Sequence, residues 1–365
     1  MNIFVKSQTA LSSLNLVYLG KVVQEQPGFR GVSHLAEHLI SYGVRDCEAQ
    51  YEKYGILSNA STGPLAVSFY LQGLDRYIRK FGEDYIERIL NFIPSKELFE
   101  RERKVVLEEY KDCFTDQVGS YLYNQMRINY DYCGAIGYRE DLEKLTYEDY
   151  LEFQKKTFSA PDKMIYVGDR EFDLDIKFAA SSLLRDFKLK NSTSLQLENK
   201  SQFDEKAVVH VHSPILPQDL PFARFASKLL SGGMDSPLFK LIREEHALAY
   251  FVYAMPNILS MNCCSFDILT LVSKENKDFT FDLIEQVLKE PEKFVSKERF
   301  DDLYFSYTIA LEKEEIERYI NVSKFVAPYE SSIDYLFDNK LLTYESIIDF
   351  IRRSATKTYH FSDKN

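Results

Sequence analysis

The stretch Gly31-Val-Ser-His-Leu-Ala-Glu-His-Leu-Ile-Ser-Tyr-Gly43 holds the side chains with the clearest chemistry. Wound as a helix, it brings His34, Glu37, His38 and Ser41 onto one polar stripe, because positions i, i+3, i+4 and i+7 share a face. Val32, Leu35, Ala36, Leu39 and Ile40 fill the remaining faces, so most of this helix expects burial. Two imidazoles one turn apart can grip one metal ion, and the carboxylate between them then lies beside that ion. The order H-x-x-E-H is the reverse of the commoner H-E-x-x-H zinc motif. The competing reading is a solvated polar face that carries two histidines.

A third ligand has to come from elsewhere. The highly charged stretch Lys96 to Cys113 reads as a helix, at first sight a solvated one. At about 100° per residue, Leu98, Glu102, Val105 and Glu109 fall within a narrow stripe. Two carboxylates thus interrupt an apolar line expected to face inward. A buried carboxylate is costly unless it is paired or bound to a metal. One of Glu102 and Glu109, which lie two turns apart on one side, is therefore a candidate third ligand.

Composition excludes several other functions. At 365 residues the chain suits two domains of comparable size, and 45% apolar residues supply ample core for both. A net charge of −11 argues against a nucleic-acid partner, which needs clustered Lys and Arg. No apolar run approaches the length of a membrane helix. Met1 to Ser7 alternates like a strand and lacks the basic-then-apolar layout of a signal peptide. The five cysteines are odd in number and form no C-x-x-C pair, which fits reduced thiols and a cytoplasmic compartment.

The elements that must position the polar stripe follow in order. Strands are expected at Ile3 to Val5 and Leu14 to Val22, then the organising helix, then a helix from Asp46 to Tyr54. Strands at Ile56 to Thr62 and Ala66 to Gln72 are separated by Gly63-Pro64. Helices are expected at Asp75 to Phe92, Lys96 to Cys113, Gln117 to Asn129 and Thr146 to Thr157, the last with Thr146 and Asp149 as a capping pair. A glycine-punctuated loop covers Cys133 to Tyr138, and a strand at Met164 to Val167 and a helix from Leu174 to Phe187 end the first half. Lys188 to Gln202 is the most polar and least periodic stretch and reads as a linker. The second half restarts with a strand at Ala207 to His212 and helices at Pro221 to Leu230 and Ser236 to His246. Strands at Leu248 to Met255 and Cys263 to Val272 follow, then a mainly helical remainder to Ala355. The pattern is α+β in two related domains, 1–187 and 205–365, joined by 188–204, each an antiparallel-dominated sheet packed with helices.

Several separated segments together resemble the M16 metallopeptidases, the inverzincins of the insulysin, pitrilysin and mitochondrial processing peptidase kind. Gly31-Val-Ser-His-Leu-Ala-Glu-His38 is similar to that family's zinc helix, and Ser58-Asn-Ala-Ser-Thr62 to its substrate-side edge strand. Glu102-Arg-Lys-Val-Val-Leu-Glu-Glu109 resembles the helix bearing its third ligand. Gly134-Ala-Ile-Gly137, Leu145-Thr-Tyr-Glu-Asp149 and Val167-Gly-Asp169 resemble the end of its first domain. Gly232-Gly-Met-Asp-Ser-Pro-Leu-Phe239, with Ile242-Arg-Glu-Glu-His-Ala-Leu-Ala-Tyr250, is similar to the signature of its second.

The resemblance implies Zn2+ held by His34, His38 and Glu109, with Glu37 as general base of peptide-bond hydrolysis. It implies a supporting carboxylate at Glu102, a substrate edge at Asn59 and Ala60, and Arg243 and Tyr250 reaching toward the substrate backbone. Half-length members resemble paired clamshells, so a homodimer enclosing a peptide is expected, with a heterodimer containing a sister subunit as the alternative. A non-catalytic scaffold or assembly subunit of the same fold is the competing class. Departures are local: Leu35 and Ala36 replace a bulkier pair, the spacing from His38 to Glu109 is tight, and Ala247 stands where glycine is common.

Overall fold

The computed structural model describes residues 2–6, 9–115, 117–130, 132, 134–179, 205–260, 263–313 and 341–361. They form two compact units, one from residues 2–113 and 134–179, the other from 114–132, 205–313 and 341–361. The polar stretch 188–202 lies outside the described residues.

The first unit opens with β1 (Asn2–Lys6) and β2 (Leu11–Leu19), followed by α1 (Val32–Ser41), which carries the polar stripe. A 3-10 turn leads into the short α2 (Glu48–Lys53), where one longer helix is expected from the sequence. β3 (Leu57–Thr62) and β4 (Ala66–Leu74) form a hairpin around Gly63, whose N–H donates to the Ala66 carbonyl. Then come α3 (Asp75–Asn91) and α4 (Lys96–Asp112). The chain next contributes α5 (Gln117–Tyr130) to the second unit before returning with α6 (Arg139–Lys144), α7 (Tyr147–Thr157) and β5 (Lys163–Gly168). Thr146 caps α7 as its spacing from Asp149 predicts.

The strand order is β1-β5-β2-β4-β3, with β1 and β5 parallel and the other pairs antiparallel. β2 sits at the centre and is buried along eight of its nine residues, which is why Leu14, Leu16, Val17 and Tyr18 show no clean polar alternation. β3 is an edge strand.

The second unit contains β6 (Lys206–Ile215), α8 (Leu220–Ser231) and the single turn α9 (Pro237–Phe239), which widens into a π-helical stretch, Lys240–Glu245. β7 (Val252–Ser260), β8 (Cys263–Ser273), α10 (Lys277–Lys289), α11 (Lys297–Lys313), α12 (Tyr344–Ser354) and β9 (Tyr359–Phe361) complete it. Its sheet is antiparallel throughout, in the order β7-β8-β6-β9. Val209 and Val211 point from β6 into the main core with Phe225, Leu229, Ile284 and Ile351. Val208 and Leu269 face the other way and pack under Tyr121 of α5, as the period of two requires.

Three expectations need correction. Residues 174–179, expected as the start of a helix, run without helical structure. Phe172, Leu174, Ile176 and Phe178 alternate with exposed charges, the period of extended chain rather than helix; 180–187 lie outside the described residues. On α4 the buried line is Phe99, Glu102 and Val106, while Val105 is 40% exposed. The strand expected from Leu248 begins only at Val252, because the chain first has to unwind from the π-helical stretch.

That unwinding passes through Ala247, whose φ of 51° is left-handed. A Cβ in this region meets its own backbone and costs about 1 kcal/mol, which glycine avoids. Leu248 N–H closes the turn onto the Ile242 carbonyl, so the conformation is imposed by the hydrogen bonding around it. Ala247→Gly is expected to raise the free energy of unfolding by about 1 kcal/mol in urea titration; a lower midpoint would mean that alanine is unstrained there.

Candidate metal centre

Four N–H groups at a helix start lack partners, and α1 begins on Gly31, which has no side chain to offer them. Gly31 is glycine for a steric reason. Its φ is 99°, and a Cβ there would stand 2.9 Å from the Ile136 carbonyl oxygen. The facing Gly137 is tighter still, since its Cβ would fall 2.2 Å from the Gly31 Cα. The glycine-punctuated loop thus lets two backbones touch where α1 starts.

The missing cap comes from Glu25. Gly31 N–H donates to its Oε2 and Ser33 N–H to its Oε1, both at 2.7 Å. Asp141 of α6 holds the preceding loop, accepting from Gly28 N–H at 2.9 Å and Arg30 N–H at 3.2 Å. With Val32, Leu35, Ala36, Leu39 and Ile40 buried, the helix cannot rotate about its axis without exposing apolar surface. The stripe His34, Glu37, His38 therefore has one available direction.

Along that direction lies α4. The Glu109 carboxylate faces both rings, with Oε2 at 3.6 Å from His34 Nε2 and Oε1 at 3.6 Å from His38 Nε2. The ring centroids are 4.8 Å apart and the rings nearly perpendicular. Buried Glu102 places Oε2 at 3.4 Å from His38 Nδ1, and Arg101 Nε donates to its Oε1 at 3.1 Å. Glu37 belongs to the same cluster, its carboxylate within 4.8 Å of the histidine donor atoms. Thr62 Oγ1, from the end of β3, donates to Glu37 Oε2 at 3.2 Å. Burial, reinforced by neighbouring His38, lowers the His34 imidazole to a pKa of about 4, so it is neutral at pH 7 as a metal ligand must be.

The residues fit a metal ion. His34 Nδ1, on the ring edge away from Glu109, is buried without a hydrogen-bond partner, unlike His38 Nδ1. The 3.6 Å separations are too long for good hydrogen bonds but near the roughly 3.3 Å expected between two ligands of one tetrahedral zinc. A carboxylate behind His38 Nδ1 is the usual arrangement behind a metal-ligating imidazole.

The other residues singled out from the sequence fall in two places. Asn59 is exposed on the edge strand β3 and its Oδ1 accepts from Ala60 N–H at 2.8 Å. Arg243 and Tyr250 belong to the second unit and to each other. The guanidinium lies 4.6 Å from the Tyr250 ring centre, and Nη1 donates to the Tyr250 carbonyl at 3.1 Å. Tyr250 is 78% exposed.

A second cluster, His210, His212 and Asp267, is buried in the second unit. His210 and His212 do not stand in the helical spacing of a metal-ligand pair. On a strand, however, i and i+2 share a face, and Val208-Val-His-Val-His212 reads as a strand, so the signal was present.

Comparison with known proteins agrees with the fold. The sequence profile of the Peptidase M16 inactive domain matches residues 194–305. An uncharacterized zinc protease of Rickettsia bellii (strain RML369-C) is 24% identical over 87% of this chain and 84% of its own length. The crystal structure of a protease from Helicobacter pylori superposes with a TM-score of 0.81 at 16% identity, covering 99% of this chain and 95% of that one. The periplasmic protease PqqL from Escherichia coli aligns with a TM-score of 0.64 and 14% identity over 97% of this chain but 45% of its own.

The Glu25 cap carries a pH signature. Burial pushes its carboxyl up to about 7, against the pull of the two backbone N–H groups. A carboxyl raised in the folded state favours folding below its unfolded pKa and loses that contribution as pH rises through the folded value. Relative to Glu25→Gln, the wild type is expected to lose about 3 kcal/mol of unfolding free energy between pH 4.5 and 7.5. Urea titrations of both proteins across that range check it, and parallel curves would refute it.

Proposed function

We propose that this chain, which belongs to the M16 peptidase family, is a zinc-dependent endopeptidase with His34, His38 and Glu109 as metal ligands and Glu37 as general base. The convergence of the two Nε2 atoms on the Glu109 carboxylate, with Glu37 alongside, carries the reading. The matched inactive-domain segment, 194–305, begins after all four of these residues, so that designation describes the half of the chain without the ligand set.

When bound, zinc supplies Lewis acidity toward the scissile carbonyl and makes water acidic enough to act as a nucleophile near pH 7. The chain's own residues do the rest. Glu37 accepts the proton of the attacking water on its carboxylate and delivers it to the departing amine. Thr62, donating to Oε2, holds the plane of that carboxylate. Glu102 keeps a partner on His38 Nδ1, which fixes Nε2 as the ligating nitrogen. The edge strand β3 can take an extended peptide as an additional strand, its Asn59 and Ala60 backbone outermost.

Substrates are oligopeptides or unfolded segments, since only an extended backbone adds to an edge. This chain spans 45% of PqqL, which fits one half of a paired enclosure. A homodimer in which Arg243 and Tyr250 complete the site, working in the cytoplasm, is the simplest assembly. A heterodimer would appear in sedimentation as a chain that is monomeric alone.

Glu37→Gln is expected to keep its zinc and lose hydrolysis of a fluorogenic peptide mixture by about 10²- to 10⁴-fold. His38→Ala is expected to lose one equivalent of zinc together with activity, and Glu102→Ala to weaken zinc binding about 10- to 100-fold. Metal analysis and initial rates measure all three. Wild-type rates in either Glu37→Gln or His38→Ala would sink the assignment, and a zinc-free, inactive wild type would favour a scaffold.

A further inference from the structure

The buried His210–His212–Asp267 cluster is not used by the chemistry above. His210 and His212 project from the same face of β6, and Asp267 sits on the neighbouring β8, paired in register with His212. None of the three is more than 5% exposed. Asp267 Oδ1 is the meeting point, 2.7 Å from His212 Nδ1 and 3.2 Å from His210 Nε2.

The far sides of two of these groups are already held. Ser265 Oγ donates to Asp267 Oδ2 at 2.7 Å, and the Tyr121 hydroxyl lies 3.1 Å from His210 Nδ1. Tyr121 is fully buried and comes from α5, which packs on this face of the sheet. Proteins orient metal ligands by fixing them from behind in this way, and both imidazoles turn a nitrogen toward Asp267 Oδ1. Two paired strands make a stiff frame for such a set.

We infer that His210, His212 and Asp267 form a second metal site, one that takes zinc. Two neutral imidazoles and one carboxylate are the borderline nitrogen and oxygen donors that suit zinc and do not suit calcium or magnesium. The 3.2 Å separation already matches two ligands of one tetrahedral ion, while the 2.7 Å contact has to open by about half an ångström.

Binding at Nε2 makes Nδ1 the protonated nitrogen of His210, donating to the Tyr121 oxygen. The ion thereby ties α5 to the second sheet. Because α5 covers it, this centre is structural, and peptide hydrolysis does not pass through it. Without metal, His212 Nδ1 and Asp267 Oδ1 stay hydrogen-bonded at 2.7 Å, and His210 carries its ring proton on Nε2, 3.2 Å from the same oxygen, with Tyr121 donating to Nδ1. The two states differ in tautomer as well as in metal content.

The test uses the full chain with the α1 site removed, His34→Ala/His38→Ala, dialysed against zinc and desalted. One retained equivalent is expected, against two in the wild type. Adding His212→Gln is expected to abolish it with the circular dichroism of the parent preserved. If that variant misfolds, Tyr121→Phe replaces it and is expected to weaken the remaining zinc about 10-fold. Nitrogen-15 spectra of the histidines should show His210 protonated at Nδ1 only in the zinc-loaded protein. A folded double variant that retains no zinc overturns the inference, as does unchanged zinc affinity in Tyr121→Phe. Equal zinc in the wild type and the double variant would fault the α1 site instead.

Discussion

A short helix buried over most of its surface has to start somewhere, and its first N–H groups cannot be left without partners there. In this protein the start lies where two backbones touch at Gly31 and Gly137, a contact no side chain permits. The cap must therefore come from a distance, and the Glu25 carboxylate supplies both hydrogen bonds. Once the helix is anchored, its buried faces fix its rotation, and the position of the two imidazoles follows. The site's geometry is thus set by a carboxylate that satisfies backbone donors six and eight residues further along the chain.

The surrounding elements then divide the remaining work. α4 gives one carboxylate to each side of His38, Glu102 behind Nδ1 and Glu109 before Nε2, because two turns of one helix separate them. Glu102 is held by Arg101, so its charge is compensated without a ligating role. Thr62 steadies Glu37 from the strand that also forms the sheet edge. Glu37 and the edge are therefore mechanically one unit, and an added strand would lie against Thr62, the residue that holds the Glu37 carboxylate.

What could be read from the chain depended on how local the information was. His34, Glu37 and His38 lie within one turn and a half, so their convergence needed only the helical period. Glu109 was legible as one of two carboxylates; choosing between them required knowing which side of His38 each would reach. The inward line of α4 was misplaced by one residue, because Val105 and Val106 are equally apolar and only packing separates them. Glu25 carried no signal, since a glutamate before a Pro-Gly turn usually faces solvent. Ala247 and its left-handed φ were visible only as an alanine at a position where glycine is common.

One rule governs both the stretch expected as helix from Leu174 and the strand that carries His210 and His212. Phe172-Asp-Leu-Asp-Ile-Lys-Phe178 and Val208-Val-His-Val-His212 both alternate, and the period of two decides which residues are neighbours. Judged by helical spacing, His210 and His212 point apart; judged as a strand, they stand side by side as His34 and His38 do on α1. Ligand spacing has no meaning until the element is assigned, because one turn of helix and two residues of strand bring side chains to the same face. The sheet adds what a helix cannot, a partner strand in fixed register, which is how Asp267 meets both rings although fifty-five residues separate it from His212.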